Sequence, residues 1–368
     1  MRILMTTDTV GGVWSFSLQL TEELLCAGSS VALVSLGRLP SEIQERSCTA
    51  LTETHGDRFT YIPLNVPLEW MNGNEEAYRL AEPILMSISR NIGAELLHSN
   101  QFCFGALPIQ VPKLITAHSD VMSWAKSCRG GLLENTPWLR RYRELVQDGL
   151  SQASAVTAPT AWMLRSLGGT YTLPDTQLVI PNGCSVQGMT SDSFALQAVT
   201  AGRLWDEGKG ISIFKEVTSP MPLLIAGETE YGGRATPEFF RGPCRLLGPV
   251  EHQDLLELFS QSAIYICPSI YEPFGLAPLE AAMCRCAILA RDIPSLREVW
   301  GDGAMYFSEA ASLSSTLERL HRDSAMLERL REKSRARASE FSLARMTQQY
   351  LRLYKNLTGT GASKAHAA

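Results

Sequence analysis

Two carboxylates stand eight residues apart in the stretch YEPFGLAPLEAA (271–282), Glu272 and Glu280, with Pro-Phe-Gly between them. Just upstream, AIYICPS (263–269) is short, apolar and rich in β-branched and aromatic residues, so it reads as a buried strand. Downstream, LAPLEAAM consists of helix formers, and Pro278 is admissible only in a first helical turn. A strand, a tight loop and a helix start leave backbone N–H groups unpaired near Phe274, Gly275 and Leu276 at the carboxyl end of a sheet, a place that attracts anions. Glutamates gain nothing from an anion. They are expected to bind something else beside it.

Cations that suit such an anion occur in VTAGRLWDEGKG, where Arg203 and Lys209 follow a strand and lie among Gly202, Gly208 and Gly210. Arginine with forked hydrogen bonds and lysine as a point charge can neutralise a diphosphate; the plainer reading of the loop is a solvated charged turn. In TVGGVWSF, Gly11 and Gly12 follow a strand and open a helix. They suit either an ordinary βα turn or the approach of a phosphate or sugar to bare main chain, and their spacing is not the G-x-G-x-x-G of dinucleotide folds. His118 ends a buried strand in LITAHSD, where it is either a satisfied structural residue or a catalytic one; Asp120 and Asp8 sit similarly at strand ends. No D-x-D occurs, so a metal-bridged diphosphate has no obvious ligands and no metal is expected. The nine cysteines are scattered; Cys284 and Cys286 form the one close pair and lack the further ligands of a zinc site, which leaves reduced, mostly buried thiols.

The elements that must hold these residues are legible in the patterning. Short apolar runs alternate with amphipathic stretches along the whole chain, as in α/β proteins with parallel sheets. RILMTT, SVALVSL, TYIPL, AELLHS, KLITAH, SAVTAP and QLVIP are the strands of a first half, with a helix in WSFSLQLTEELLCAG that Gly28 is placed to end. LQAVTAG, PLLIAGE, AIYICPS, AILARD and AMYF form a second series, with helices such as HQDLLELFSQS between them. The pattern implies two doubly wound, Rossmann-like domains whose parallel sheets face an interdomain cleft. The boundary is expected after PNGC (181–184), before the small, polar SVQGMTSDS. The domains are then 1–183 with a carboxyl-terminal helix, about 343–357, packing back on it, and 184–342; the tail 358–368 has nothing to bury and is expected to be disordered. A formal net charge of −5, 45% hydrophobic and 19% charged residues describe a globular chain and argue against nucleic acid as a partner. No signal-peptide pattern or run of about 18 apolar residues occurs, so a cytoplasmic protein is expected. TPWLRRYRELVQ (136–147) joins Trp138 and Tyr142 to three arginines; a helix with a solvated basic side is preferred there to a membrane-surface or anionic-acceptor patch.

Taken together, GGVW, TAHSD, VIPNG, GRLWDEGKG, LLGPVEHQDLLELF, YEPFGLAPLEAA and RDIPSLREVWGDGAMYF occur in this order, nearly all at strand ends. In that arrangement, and above all in the E-x7-E of Glu272 and Glu280, the chain resembles retaining glycosyltransferases of the GT-B architecture, family 4 type. The resemblance implies a hexosyltransferase that takes a nucleotide-diphosphate sugar as substrate, needs no metal or other cofactor, and makes an α-linked product. It implies that Glu280 binds the ribose hydroxyls and Glu272 the sugar. The N–H groups from Phe274 to Leu276 would meet sugar and phosphate, and Arg203 and Lys209 the diphosphate. Leu247 and Val250 would contact the base through main chain, His118 would face the reacting sugar, and Gly12 would let the first domain close on the phosphates. UDP-glucose is the donor expected first and GDP-mannose next; the acceptor, a saccharide, lipid or small molecule, is not legible, and peripheral contact with the inner face of a membrane is not favoured. The chain departs from the family pattern in reading PNGCS for PNGVD, which gives Cys184 a hydrophobic slot, and in placing Arg203 and Lys209 one residue further apart. LLIAGETE lacks a second glycine, and YGGRATPEFF is a possible local insertion. The rival readings are a nicotinamide oxidoreductase, which fails for want of its glycine fingerprint, and a noncatalytic sugar-nucleotide sensor or scaffold.

Overall fold

Thirteen of the strands build two parallel sheets of the same winding. The structure, a computed structural model, describes residues 1–186, 194–231, 234–235 and 243–359. Most of SVQGMTSDS, most of YGGRATPEFF and the tail from residue 360 lie outside the described residues. The strands are β1 (Arg2–Asp8), β2 (Ser30–Leu36), β3 (Phe59–Pro63), β4 (Leu96–Ser99), β5 (Lys113–Thr116), β6 (Ala155–Ala158), β7 (Gln177–Val179), β8 (Ala195–Ala201), β9 (Leu223–Ala226), β10 (Glu230–Tyr231), β11 (Arg234–Ala235), β12 (Cys244–Gly248), β13 (Ser262–Cys267), β14 (Ala287–Arg291) and β15 (Ala304–Phe307). The helices are α1 (Gly12–Cys26), α2 (Glu42–His55), α3 (Asn74–Ile92), α4 (Val121–Arg129), α5 (Pro137–Gln152), α6 (Ala161–Gly168), α7 (His252–Ser260), α8 (Leu276–Met283), α9 (Pro294–Trp300), α10 (Ala310–Arg322), α11 (Ser324–Ala338) and α12 (Leu343–Leu357).

The first sheet runs β3-β2-β1-β4-β5-β6-β7 and the second β12-β9-β8-β13-β14-β15, with every pairing parallel. In each, the strand order reverses beside the first strand, between β1 and β4 and again between β8 and β13. Ligands of open α/β sheets bind outside the carboxyl ends of the strands at such a reversal. The central strands are buried along nearly their whole length because helices cover both faces: all of β13 and six of the seven residues of β2 are buried. The short β10–β11 pair is antiparallel and belongs to neither sheet.

The chain divides into two units. One comprises Met1–Ser123, Leu132–Pro181 and the chain from Leu343; the other comprises Trp124–Gly131 and Asn182–Ser342. Segment 124–131, expected in the amino-terminal domain, therefore groups with the second unit. Its side chains explain this: Trp124 Nε1 donates to Asp206 Oδ1 at 3.1 Å and Arg129 pairs with Glu207 at 2.8 Å. In the first unit, α12 is held by a buried polar chain in which His98 bonds Tyr354 Oη at 2.6 Å and Thr116 Oγ1 at 2.7 Å, and Thr116 bonds Thr157 at 2.8 Å. Burial pushes the His98 pKa down to about 3, so the ring is neutral. The aromatic residues of α5 point inward: Tyr142 is buried and donates to Asp120 Oδ1, while Trp138 stacks on it and donates to the Met71 carbonyl. All nine cysteines are free thiols, six of them buried, and Cys184 sits in the core of the second unit against Met283.

Candidate active site

In the second unit, the loop after β8 and the loop after β13 are stitched together where the strand order reverses. Gly208 O accepts from the N–H groups of Ile270 and Tyr271 at 2.9 and 3.1 Å. The approach is so close that a Cβ on Gly210 would lie 2.2 Å from Pro268 O. This contact brings Lys209 to Glu272, with Nζ 2.6 Å from Oε2, and Ser269 donates to the same oxygen at 3.0 Å. Glu272 is 9% exposed, so its charge needs the lysine. Oε1 of Glu272 has no hydrogen-bond partner among the described residues.

Arg203 pairs with Asp206 at 2.9 Å rather than with a glutamate of the α8 motif. Burial raises the Asp206 pKa, but Arg203, Lys209 and the N–H groups of Gly208 and Trp124 outweigh it, and the carboxyl is held below its usual range. The two cations of the loop are thus each matched with a carboxylate, and Asp206 and Trp124 shape the loop that carries them. Neither residue was singled out in the sequence. Within this stretch Glu207–Lys209 form a single 3-10 turn, with the Asp206 carboxylate accepting from Gly208 N.

Beyond Glu272 the chain turns sharply into α8. Gly275 has φ 92°, and a Cβ there would meet Pro278 at 2.7 Å, so the turn admits only glycine. The amides of Phe274, Gly275 and Leu276 donate no hydrogen bond among the described residues, as expected of a helix start, whereas the Phe274 ring is buried edge-on against Phe341. Pro278 stands in the first turn of α8. Glu280, 5% exposed, lies one turn further along, and its Oε1 bonds His252 Nε2 at 2.9 Å. That hydrogen bond, against the opposing effect of burial, raises the His252 pKa. Oε2 of Glu280 has no partner among the described residues. His252 opens α7 and went unremarked within LLGPVEHQDLLELF; no local signal marks its partnership, which joins residues 28 apart. Leu247 lies in β12 with its side chain against the core, and Val250 is half-buried just before α7.

At the corresponding edge of the first unit, His118 is held through neutral groups alone. Asn100, after β4, donates from Nδ2 to Thr6 O at 2.7 Å and to Ser17 Oγ at 3.1 Å, which directs its Oδ1 toward His118 Nε2, 2.7 Å away. The bond network therefore assigns the proton to Nε2 and leaves a lone pair on Nδ1. Burial holds the His118 pKa well below the ordinary imidazole range, and Phe16 packs edge-on against the ring at 4.6 Å. Asn100, like Asp206, Trp124 and His252, is a residue that patterning missed. Gly12 is the first residue of α1 and exposed; the left-handed conformation, φ 79°, falls on Gly11 instead. Asp120 is buried, with its carboxylate taken by Ser123 N, Tyr142 and Tyr171, and Asp8 accepts from Val10 N.

Two parallel Rossmann-like units with these windings define a GT-B fold. Sucrose-phosphate synthase from Thermosynechococcus elongatus shares it with a TM-score of 0.79 at 18% identity over 98% of this chain and 100% of that one. HepE from Anabaena, in complex with UDP-glucose, shares it at 0.71 and 15% identity over 97% and 100%. Residues 10–187 match the family model Glycosyltransferase Family 4, and residues 209–337, from Lys209 onward, match Glycosyl transferases group 1. In sequence the chain is 25% identical to an alpha-maltose-1-phosphate synthase of Mycobacterium tuberculosis over 68% of this chain and 75% of that protein. The matches and the fold support a family 4 type glycosyltransferase of the GT-B architecture, and hence a transferase.

Proposed function

We propose that this chain transfers a hexose from a nucleotide-diphosphate sugar to an acceptor hydroxyl with retention of anomeric configuration. The observation that carries the reading is the half-engaged state of both motif carboxylates. Glu272 and Glu280 are each anchored to the protein through one oxygen and have, among the described residues, no partner for the other, beside a lysine and helix-start amides that donate to none of those residues. A diphosphate suits the lysine and the amides, and two polyols suit the carboxylates. Lys209, Arg203 and the amides of Phe274 to Leu276 take the diphosphate, Glu280 the ribose and Glu272 the transferred sugar. Leu247 and Val250 offer main chain to the base. Gly12 is assigned to phosphate approach, and His118 is assigned to the transferred sugar, to which its Nδ1 can accept a hydrogen bond. The donor assigned is UDP-glucose, the ligand of HepE, with GDP-mannose second.

Catalysis then rests on preorganised charge. The glycosidic C–O bond breaks as Lys209 and Arg203 take up the charge of the departing diphosphate, and Glu272 stabilises the positive sugar. The acceptor oxygen attacks from the same face and passes its proton to the leaving phosphate oxygen, so side chains and amides supply the charge without a metal. Donor consumption across UDP-, GDP- and ADP-sugars, followed by anomeric analysis of the product by NMR, tests the reading. An α-linked product from an α-linked donor is expected; binding without turnover on any acceptor would favour a sensor or scaffold, and a trapped covalent glycosyl-enzyme would exclude same-face attack.

A further inference from the structure

We propose that His252 is a positioning residue that orients Glu280 toward a ribose diol; this rests on the reading that Glu280 is the ribose ligand. Glu280 is 5% exposed, and among the described residues its carboxylate has a single hydrogen-bond partner, His252 Nε2, 2.9 Å from Oε1. A carboxylate on a flexible side chain can turn about its terminal torsions. One held by a donor at Oε1 presents a fixed Oε2 and the second lone pair of Oε1. Those two acceptor positions match the paired O–H donors of a ribose 2′,3′-diol and cannot both be filled by a 2′-deoxyribose.

The placement of His252 serves this role. It is the first residue of α7, a helix packed on both α8 and β13, so its backbone is fixed against the element that carries Glu280. The half-exposed imidazole has no other hydrogen-bond partner among the described residues. Its Nε2–H donation to a nearly buried acid is thus its whole polar engagement with the protein.

The test measures the affinities of UDP, GDP and ADP, each against its 2′-deoxy form, by titration calorimetry on the full chain, with melting curves to confirm folding. Whichever base binds best, the wild type is expected to prefer the ribonucleotide. His252→Ala is expected to weaken ribonucleotide binding about threefold to tenfold, the cost of ordering one side chain, and to change deoxynucleotide binding little. His252→Gln, a neutral donor, restores the preference. An unchanged ribo-to-deoxy ratio in His252→Ala overturns the proposal. So does full affinity in His252→Phe, because the ring and not the hydrogen bond would then be what matters. Glu280→Gln separates the two layers: if it keeps the ratio, the ribose reading itself falls, whereas if it abolishes the ratio and His252→Ala does not, only the role of His252 falls.

Discussion

The strand-end edges of the two units share a winding and differ in chemistry. In the first, a neutral chain stands at the order reversal, in which Thr6 and Ser17 fix Asn100 and Asn100 fixes His118, while the Asp8 and Asp120 carboxylates beside it accept from the protein's own donors. In the second, the same topological position holds the Lys209–Glu272 and Arg203–Asp206 ion pairs, and Glu272 and Glu280, whose second oxygens have no partner among the described residues. The fold sets where a site forms, and the loops set what it can bind. A neutral edge suits hydroxyls, whereas a charged edge with exchangeable partners suits an anion flanked by polyols. The histidines divide the same way: burial depresses the pKa of His98 and His118, while a carboxylate raises that of His252.

Removing the charge of the second edge is expected to have the largest effect. Lys209→Met leaves Glu272 with Ser269 alone and deletes one charge-assisted contact to a diphosphate. The expected loss is about 100-fold in affinity for a nucleoside diphosphate, from the roughly 1.5–3 kcal/mol of such a bond. Calorimetry decides it, and undiminished binding would mean that the charged edge is not the anion site. Asn100→Leu, the matching change at the neutral edge, should leave that affinity alone.

Acid probes the first unit next. The unfolded chain takes a proton on His98 near pH 6.5, but the folded chain resists until about 3, so between these values the unfolded state binds more protons and stability falls as the pH falls. The slope is about 1.4 kcal/mol per pH unit below 6.5, or about 2 kcal/mol lost by pH 5. Urea titrations at pH 5 and 7 measure it as the part of the acid dependence that His98→Gln removes, since His118, depressed in the same way, supplies a share of its own. The same pH dependence in wild type and His98→Gln would show that His98 is not held neutral. A smaller loss is expected from Asn100→Leu, which frees the His118 ring: about tenfold in kcat, the effect of roughly 1.4 kcal/mol, with donor KM unchanged. A change in KM alone would assign Asn100 to donor binding instead.

How much of this was legible follows from how local each signal is. The paired sheets are written in runs such as AIYICPS and SVALVSL, because strands covered on both faces are apolar along nearly their whole length. The α8 start is written in PFG and Pro278, because only glycine fits at 275 and proline is confined to a first turn. By contrast β12, half-exposed at the sheet edge, lacks such a run and was seen only as the LLGPV motif. The partnerships that define the site were invisible because they join distant residues: His252 with Glu280, Asn100 with Thr6, Trp124 with Asp206, and His98 with Tyr354, 256 positions away. Residue type marked candidates for chemistry, but it did not pair them.

The smallest effect is the one that runs opposite in sign. His252 has a folded-state pKa above its unfolded value, chiefly through its hydrogen bond to Glu280. The stabilisation from its charge is therefore fully present below about pH 6.5, where both states carry the proton, and is lost as the pH rises through the higher folded value. Half of the His252 side chain is exposed, so solvent screening limits the contribution to less than about 1 kcal/mol. The measurable quantity is the melting temperature of the wild type minus that of His252→Gln, which should be larger at pH 6 than at pH 8.5. Acid weakens the neutral edge while alkali weakens the charged one, so a difference that stayed level or grew with pH would remove His252 from the electrostatics of the second unit and leave the contrast to the lysine and arginine pairs alone.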